Sequence, residues 1–270
     1  MLYRFCAIIA IAFSFAFIFP PKQKPVLYLI GDSTVDHGSG NNDLWGWGKY
    51  LPQFFDTNKV VIRNYAQGGT STRTFFTGGI WDKKINKRGL WDTVSVNMKK
   101  GDFLMIQFGL NDNGRIDDSA RARGTLKGIG NDSVSIYNLV TKKQEVVYSF
   151  GWYLRKFIQH AKQKGVTVIV CSTIPTNRWK DGKLIRGENG FAEWALQVAK
   201  EENVFSIDLN NRIADVYDSE GEQLVTTKYH IEKDKTHTTS QGAILNASIV
   251  AQGIADLQKC PLKNALLKNK

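Results

Sequence analysis

The chain has 270 residues, 42% of them hydrophobic and 23% charged, with 24 glycines and only 6 prolines. That make-up excludes disorder, collagen and coiled coil, and leaves one ordinary globular domain or at most two small ones. Lysine and arginine exceed aspartate and glutamate by 36 − 25 = 11, and because Arg4, Lys22 and Lys24 carry 3 of that excess, the body holds 11 − 3 = +8. Such an excess suits an acidic glycan, a nucleic acid or a membrane surface, and equally a solvated basic face; no single stretch is basic enough to choose.

The N-terminus comes first. Residues 5–19 are an uncharged apolar run of 15, behind Arg4 and ahead of Pro20 and Pro21. The run is shorter than the roughly 20 residues that span a bilayer, and reads as an export signal within a leader of residues 1–25. The best small-x-small pattern, Ser14 and Ala16, would leave Phe17 and Phe19 on the mature chain, so an uncleaved anchor is the alternative. Either way the protein is expected to be exported, whether periplasmic, at the cell surface or secreted. Cys6 opens the run instead of closing it, unlike a lipoprotein attachment site.

Residues 26–30, 60–62, 103–106, 166–170 and 204–207 each read as a short strand buried on both faces. Between the third and fourth, Val147, Phe150, Leu154, Phe157, Ile158 and Ala161 recur at helical spacing, with Gly165 as the stop. Phe191, Trp194, Ala195, Val198 and Ala199 mark a second helix; Ala243, Ala247, Val250, Ile254 and Leu257 mark a long last one. Strand and helix in repetition predict an α/β domain with a parallel sheet covered on both sides, clearest over residues 26–257. The stretch 113–145, with Arg115, Arg121, Arg123 and Lys127, is long for a connection and either folds over the active edge or decorates it. Cys171 ends a buried strand and nothing brings Cys260 beside it, so a disulfide is disfavoured. No CxxC, HExxH or clustered His/Cys spacing supports a metal or redox site.

A doubly wound sheet binds its ligands outside the carboxyl ends of its strands. The first predicted strand runs into Gly31-Asp32-Ser33-Thr34, the second into Asn64 and onward to Gly68-Gly69, and the third into Gly109-Leu110-Asn111-Asp112; Asp234-Lys235-Thr236-His237 precedes the last helix. Hydrolysis of an ester by serine needs a nucleophile, a base, a group that orients the base, and donors for the oxyanion. Ser33 is the candidate nucleophile and His237 the base. Asp234 orients His237 from three residues upstream, and the N–H groups of Ser33 and Gly69 with the Asn111 amide hold the oxyanion. Taken singly each is an ordinary turn or loop residue; their joint order at strand ends is what points to chemistry. Among the other histidines, His160 reads as exposed on a helix flank, and His37 and His230 have no partner pattern. Trp179, flanked by Arg178 and Lys180, is a candidate sugar platform with carboxylate-binding cations, or else a tryptophan packed on the core.

With these four blocks in this order the chain resembles the SGNH or GDSL hydrolases, and within them the rhamnogalacturonan acetylesterases, a carbohydrate esterase group. Gly31-Asp32-Ser33-Thr34-Val35, Gly69-Thr70-Ser71-Thr72-Arg73-Thr74-Phe75 and Asp234-Lys235-Thr236-His237-Thr238 carry the resemblance. It implies a three-layer α/β/α fold with a five-stranded parallel, flavodoxin-like sheet in a domain of residues 26–270. It also implies a Ser-His-Asp mechanism without metal or cofactor, and release of acetyl groups from pectic backbones. Leu110 and Asn113 depart from the family's usual His and Gly. The expected partner is an acetylated, acidic polysaccharide, with no nucleic acid, and membrane contact only through residues 1–25. Two alternatives remain: an esterase acting on acetylxylan, lipid or thioester with the same residues, or a non-catalytic glycan- or nucleotide-binding module. The lack of Gly-x-Gly-x-x-Gly after the first strand argues against dinucleotide binding.

Overall fold

The computed structural model describes residues 23–38, 43–78, 90–231 and 234–268; the predicted leader lies outside these apart from residues 23–25. The elements, in chain order, begin with β1 (Val26–Gly31), β2 (Val61–Asn64), α1 (Thr72–Thr77), α2 (Leu90–Asn97) and β3 (Phe103–Gln107). A hairpin of β4 (Ser133–Asn138) and β5 (Lys143–Tyr148) follows, then α3 (Phe150–Gln163) and β6 (Thr167–Cys171). A minimal hairpin, β7 (Trp179–Lys180) and β8 (Lys183–Leu184), leads to α4 (Phe191–Glu201), β9 (Phe205–Ile207) and α5 (Leu209–Glu220). Short α6 (Glu222–Leu224) runs into a π-helical turn at Val225–Tyr229, and α7 (Ser240–Asp256) is the long last helix.

The central sheet has the order β2-β1-β3-β6-β9, and each of its pairings is parallel. Side chains alternate along a strand. Leu27, Leu29, Met105, Ile169 and Ile207 therefore point to one layer, packed on α5 and α7. Tyr28, Ile30, Leu104, Ile106, Val168 and Val170 point to the other, against α2, α3 and α4. This is the three-layer α/β/α arrangement, in which β1 is the strand where the winding reverses.

Several sequence expectations need correction. β2 is an edge strand, not one buried on both faces; Val61 is 37% exposed because only β1 pairs with it. Val147 is buried in β5, outside the helix its spacing suggested, because Ser149 caps α3 by accepting from the Trp152 N–H at 3.1 Å. His160 is half-buried, and its Nδ1 accepts the Trp91 indole N–H at 3.0 Å. Cys260, Leu262 and Ala265, after the last helix, are buried in the packed core. Cys171 and Cys260 are both free and buried, and burial pushes the Cys171 thiol up to about 12. Among the described residues no helix is long and apolar enough to cross a membrane.

The stretch 113–145 is tied down by Arg73 of α1. Its guanidinium donates to both Glu145 carboxylate oxygens, at 2.7 and 2.6 Å, and to the carbonyls of Ile116 and Gly124. Burial alone would raise the Glu145 carboxyl, but hydrogen bonds from Arg73 and Asn138, together with the Arg73 charge, hold it below the ordinary carboxylate range. The side chains are 1% and 17% exposed, so removing the acid strands a buried cation. Glu145→Ala is therefore expected to destabilise the protein by about 3 kcal/mol. Urea denaturation measures this, and a loss below about 1 kcal/mol would mean that water takes the place of the carboxylate.

Candidate active site

Three of the predicted blocks follow β1, β2 and β3, the strands that flank the reversal of the sheet. β1 ends in Gly31 because nothing larger fits: a Cβ there would stand 2.5 Å from Val35 Cγ2 and 2.7 Å from the Gln107 carbonyl. The chain then turns sharply, with the Val35 and Asp36 N–H groups donating to the Asp32 carbonyl. Asp32 is fully buried, and its Oδ1 accepts from the Thr34 N–H and hydroxyl at 2.9 and 2.7 Å. Gln107 joins this network, donating to Thr34 Oγ1 while accepting from Trp47 Nε1, both at 2.7 Å. The turn carrying Ser33 is therefore held from behind.

Ser33 Oγ lies 2.9 Å from His237 Nε2, and His237 Nδ1 lies 2.6 Å from Asp234 Oδ2. The Asp234 carboxylate can only accept when ionised, so Nδ1 carries the proton and Nε2 is left to accept the serine hydroxyl. Burial would raise Asp234, yet hydrogen bonds from the His237 side chain and backbone and from the Thr236 N–H hold its carboxyl below the ordinary value. The loop is pinned on both sides. Thr238 pairs with Trp45, donating to its carbonyl at 2.8 Å and accepting its N–H at 3.1 Å. Thr239 caps α7 by accepting the Gly242 N–H.

Asn111 donates one amide N–H to the Thr70 carbonyl at 2.8 Å, which aims the side chain across the top of β1 and leaves a second N–H for a ligand. Gly69 sits beside it at φ 80°, a conformation that glycine adopts without strain. Ser33, Gly69, Asn111 and His237 line one cleft of about 580 Å³. Below it, Asp112 is 1% exposed and accepts from the Thr72 N–H and hydroxyl. Burial pushes its carboxyl up to about 7, the Thr72 hydrogen bonds working against that rise and the neighbouring Asp32 with it.

The predicted substrate residues separate. Arg178 lines the cleft; Trp179 does not. Its ring packs against the core, and its indole N–H is taken by Asn177 Oδ1 at 2.7 Å, because the β7–β8 hairpin turns it inward. Arg121 and Arg123 line the cleft, so part of the 113–145 stretch does fold over the active edge, whereas Arg115 pairs with Asp117 in solvent. Arg123 donates to the Gly69 carbonyl at 3.1 Å. Leu110 and Asn113 also face the cleft. His37 is exposed, 3.3 Å from the Asn64 carbonyl. His230 is 2% exposed, bridged through its backbone to Thr238, and burial lowers its imidazole to about 4. Sequence reasoning named Asp112 in its block without giving it a role, and missed Gln107 and the Thr173 to Thr176 wall of the cleft; that wall follows β6, where the strand-end rule could have found it.

A base in contact with a hydroxyl, a carboxylate orienting the base and an amide aimed across the cleft together equip this edge for acyl transfer. Among the described residues no group of three His, Cys, Asp or Glu could hold a metal ion.

Residues 29–243 match the GDSL-like Lipase/Acylhydrolase family, and the chain belongs to it. A rhamnogalacturonan acetylesterase from Emericella nidulans is 27% identical over 252 residues, covering 91% of this chain and 93% of the relative. A probable rhamnogalacturonan acetylesterase from Bacillus subtilis is also 27% identical, covering 90% and 98%. Among solved structures, protein YxiM from Bacillus subtilis superposes with a TM-score of 0.65 at 23% identity, covering 86% of this chain and 56% of that one. An acetyl xylan esterase variant from Geobacillus stearothermophilus gives 0.51 at 13% identity, covering 86% and 93%. The two structural likenesses establish the fold.

Ser33→Ala is expected to lower ester hydrolysis on the order of 10³-fold or more, and Asn111→Ala about 10²- to 10³-fold in kcat with little change in KM. Turnover of a chromogenic acetate ester by folded variants checks both; near-normal turnover without Ser33 would remove it as nucleophile, and a change in KM alone would make Asn111 a binding residue. Asp112 makes a pH prediction. Its unfolded carboxyl titrates near 3.8 and its folded one near 7, so the folded chain holds the extra proton between those values. The associated stability is present below about pH 4 and is lost as pH rises through about 7. Asp112→Asn keeps an acceptor for Thr72 and has no such proton to lose, so its stability relative to the parent should rise across that window. Urea midpoints at a series of pH values test this, and a constant difference would contradict the raised pKa.

Proposed function

We propose that this acylhydrolase is a carbohydrate esterase that removes O-acetyl groups from an acidic pectic polysaccharide, rhamnogalacturonan, through an acyl-enzyme on Ser33. The observation that carries the reading is the Ser33, His237 and Asp234 hydrogen-bonded line opening into a cleft flanked by Arg121, Arg123 and Arg178. Among the described residues lining that cleft there is no aspartate or glutamate. The names of the two relatives support the same substrate, and the apolar run at residues 5–19 fits export to where a polymer is met.

In this mechanism His237 Nε2 takes the Ser33 proton as Oγ attacks the acetyl carbonyl. Asp234 keeps the imidazole in its Nδ1–H form and stabilises the imidazolium that forms. The Ser33 and Gly69 N–H groups and the Asn111 amide receive the oxyanion, and because Asn111 is already tied to Thr70, little reorganisation is needed. His237 then returns the proton to the departing sugar hydroxyl, and water repeats the sequence on the acetyl-enzyme. The arginines act on ground state and transition state alike, so their effect belongs mainly to KM and to encounter.

Acetate release from acetylated rhamnogalacturonan is therefore expected to exceed that from acetylated xylan at matched acetyl content. The advantage should shrink as salt rises, since exposed charges are screened over about 10 Å at 0.1 M. Arg121→Gln should reduce the advantage chiefly through KM. Equal or better release from xylan at low salt would overturn the pectic substrate and leave the Ser33 chemistry standing.

A further inference from the structure

At the opposite end of the sheet, where the strands begin, lies a second groove of about 910 Å³, larger than the catalytic cleft. Lys24, Lys59, Arg63, Lys99 and Lys100 line it, and all five are exposed. The carboxylate among its lining residues is Asp102, which is 6% exposed and spends its two oxygens on the backbone N–H groups of Val26 and Lys99, both at 2.8 Å. The groove therefore presents five cations and one buried carboxylate around a partly apolar floor that includes Val26, Tyr28 and Phe103. Lys99 and Lys100 follow α2, where cations offset the helix dipole. Lys24, Lys59 and Arg63 end no α-helix, so that explanation does not cover them; among the described residues Lys59 pairs with Asp56 at 3.7 Å and Lys24 donates to the Thr57 carbonyl.

The position of the groove identifies its occupant. The uncharged apolar run ends at residue 19 and the chain enters the groove at Gln23 and Lys24. Five residues of even fully extended chain reach no more than about 18 Å. Any bilayer that receives the apolar run therefore has its headgroups within about that distance of Lys24, the first of the cations that line the groove. The catalytic residues follow the carboxyl ends of the same strands, and the six residues of β1 alone separate the two ends by roughly 20 Å. A surface bound at the groove leaves the cleft facing away, open to a polymer.

We propose that this basic groove at the amino ends of the sheet docks the protein onto anionic phospholipid headgroups. The attraction acts over about a Debye length and is additive over the cations that reach the surface. It is independent of the pectic reading of the cleft.

Flotation of the full chain with phosphatidylcholine vesicles, with and without phosphatidylglycerol, tests the proposal. The anionic vesicles should retain the protein at least about 100-fold more tightly at low salt, and each of Arg63→Gln and Lys100→Gln should weaken that binding roughly fivefold. The combined Lys24→Gln, Lys59→Gln, Arg63→Gln, Lys99→Gln and Lys100→Gln variant should lose the anionic preference while hydrolysing a soluble acetate ester at the parental rate, which establishes that it is folded. Insertion of the apolar run alone would bind both kinds of vesicle equally and survive the five substitutions; that result would overturn the proposal. So would binding of polygalacturonate through the same five residues without any preference among vesicles, which would reassign the groove to a glycan.

Discussion

Parallel pairing of the five central strands is the constraint from which the rest follows. Strands that all run one way must be joined by crossovers, so every connection leaves the sheet at its carboxyl edge and returns at its amino edge. Ser33, Gly69 and Asn111 follow β1, β2 and β3, which are neighbours in the order β2-β1-β3. They converge because β1 lies between the other two and the winding reverses there. Turn geometry then sets each side chain: Gly31 lets β1 pass close under Val35, and the Asp32, Thr34, Gln107 and Trp47 network holds the serine turn against the sheet.

The same topology divides the molecule electrostatically. Two carboxylates, Asp32 and Asp112, lie under the cleft, and burial pushes both upward. Arg121, Arg123 and Arg178 line it. The amino edge is basic for a different reason, the lysines and arginine that gather where the strands begin. One molecule thus carries two cationic faces at opposite ends of one sheet. That distribution gives the net charge a spatial meaning which the total alone lacks.

The clamp between Arg73 and Glu145 connects these levels. It joins α1, directly after the Gly69 block, to β5, and its other donors reach the Ile116 and Gly124 carbonyls. The stretch that presents Arg121 and Arg123 is thereby held over the catalytic edge by a partly buried ion pair whose members are 72 residues apart.

Strands, layers and the three side chains in hydrogen-bonded contact were legible in the sequence because each leaves a local mark. Branched and aromatic runs between glycines mark β1, β3 and β6, apolar residues at helical spacing mark α3, α4 and α7, and Asp234 and His237 stand three residues apart in one loop. Where the pattern misled or left a choice, a neighbour decided: β2 lost one covering face by standing at the edge, Val147 was claimed by a hairpin once Ser149 capped α3, and of the two readings of Trp179 the core-packed one holds at a two-residue hairpin. α1, α2 and α5 were not foreseen, α1 being too short to show a period. Local chemistry and spacing therefore determined the fold class and the candidate nucleophile, base and orienting acid. Which of the scattered arginines reach the cleft, which carboxyls are buried beneath it and where the five basal cations meet are sums over contacts between residues far apart in the chain, and only the tertiary structure could decide them.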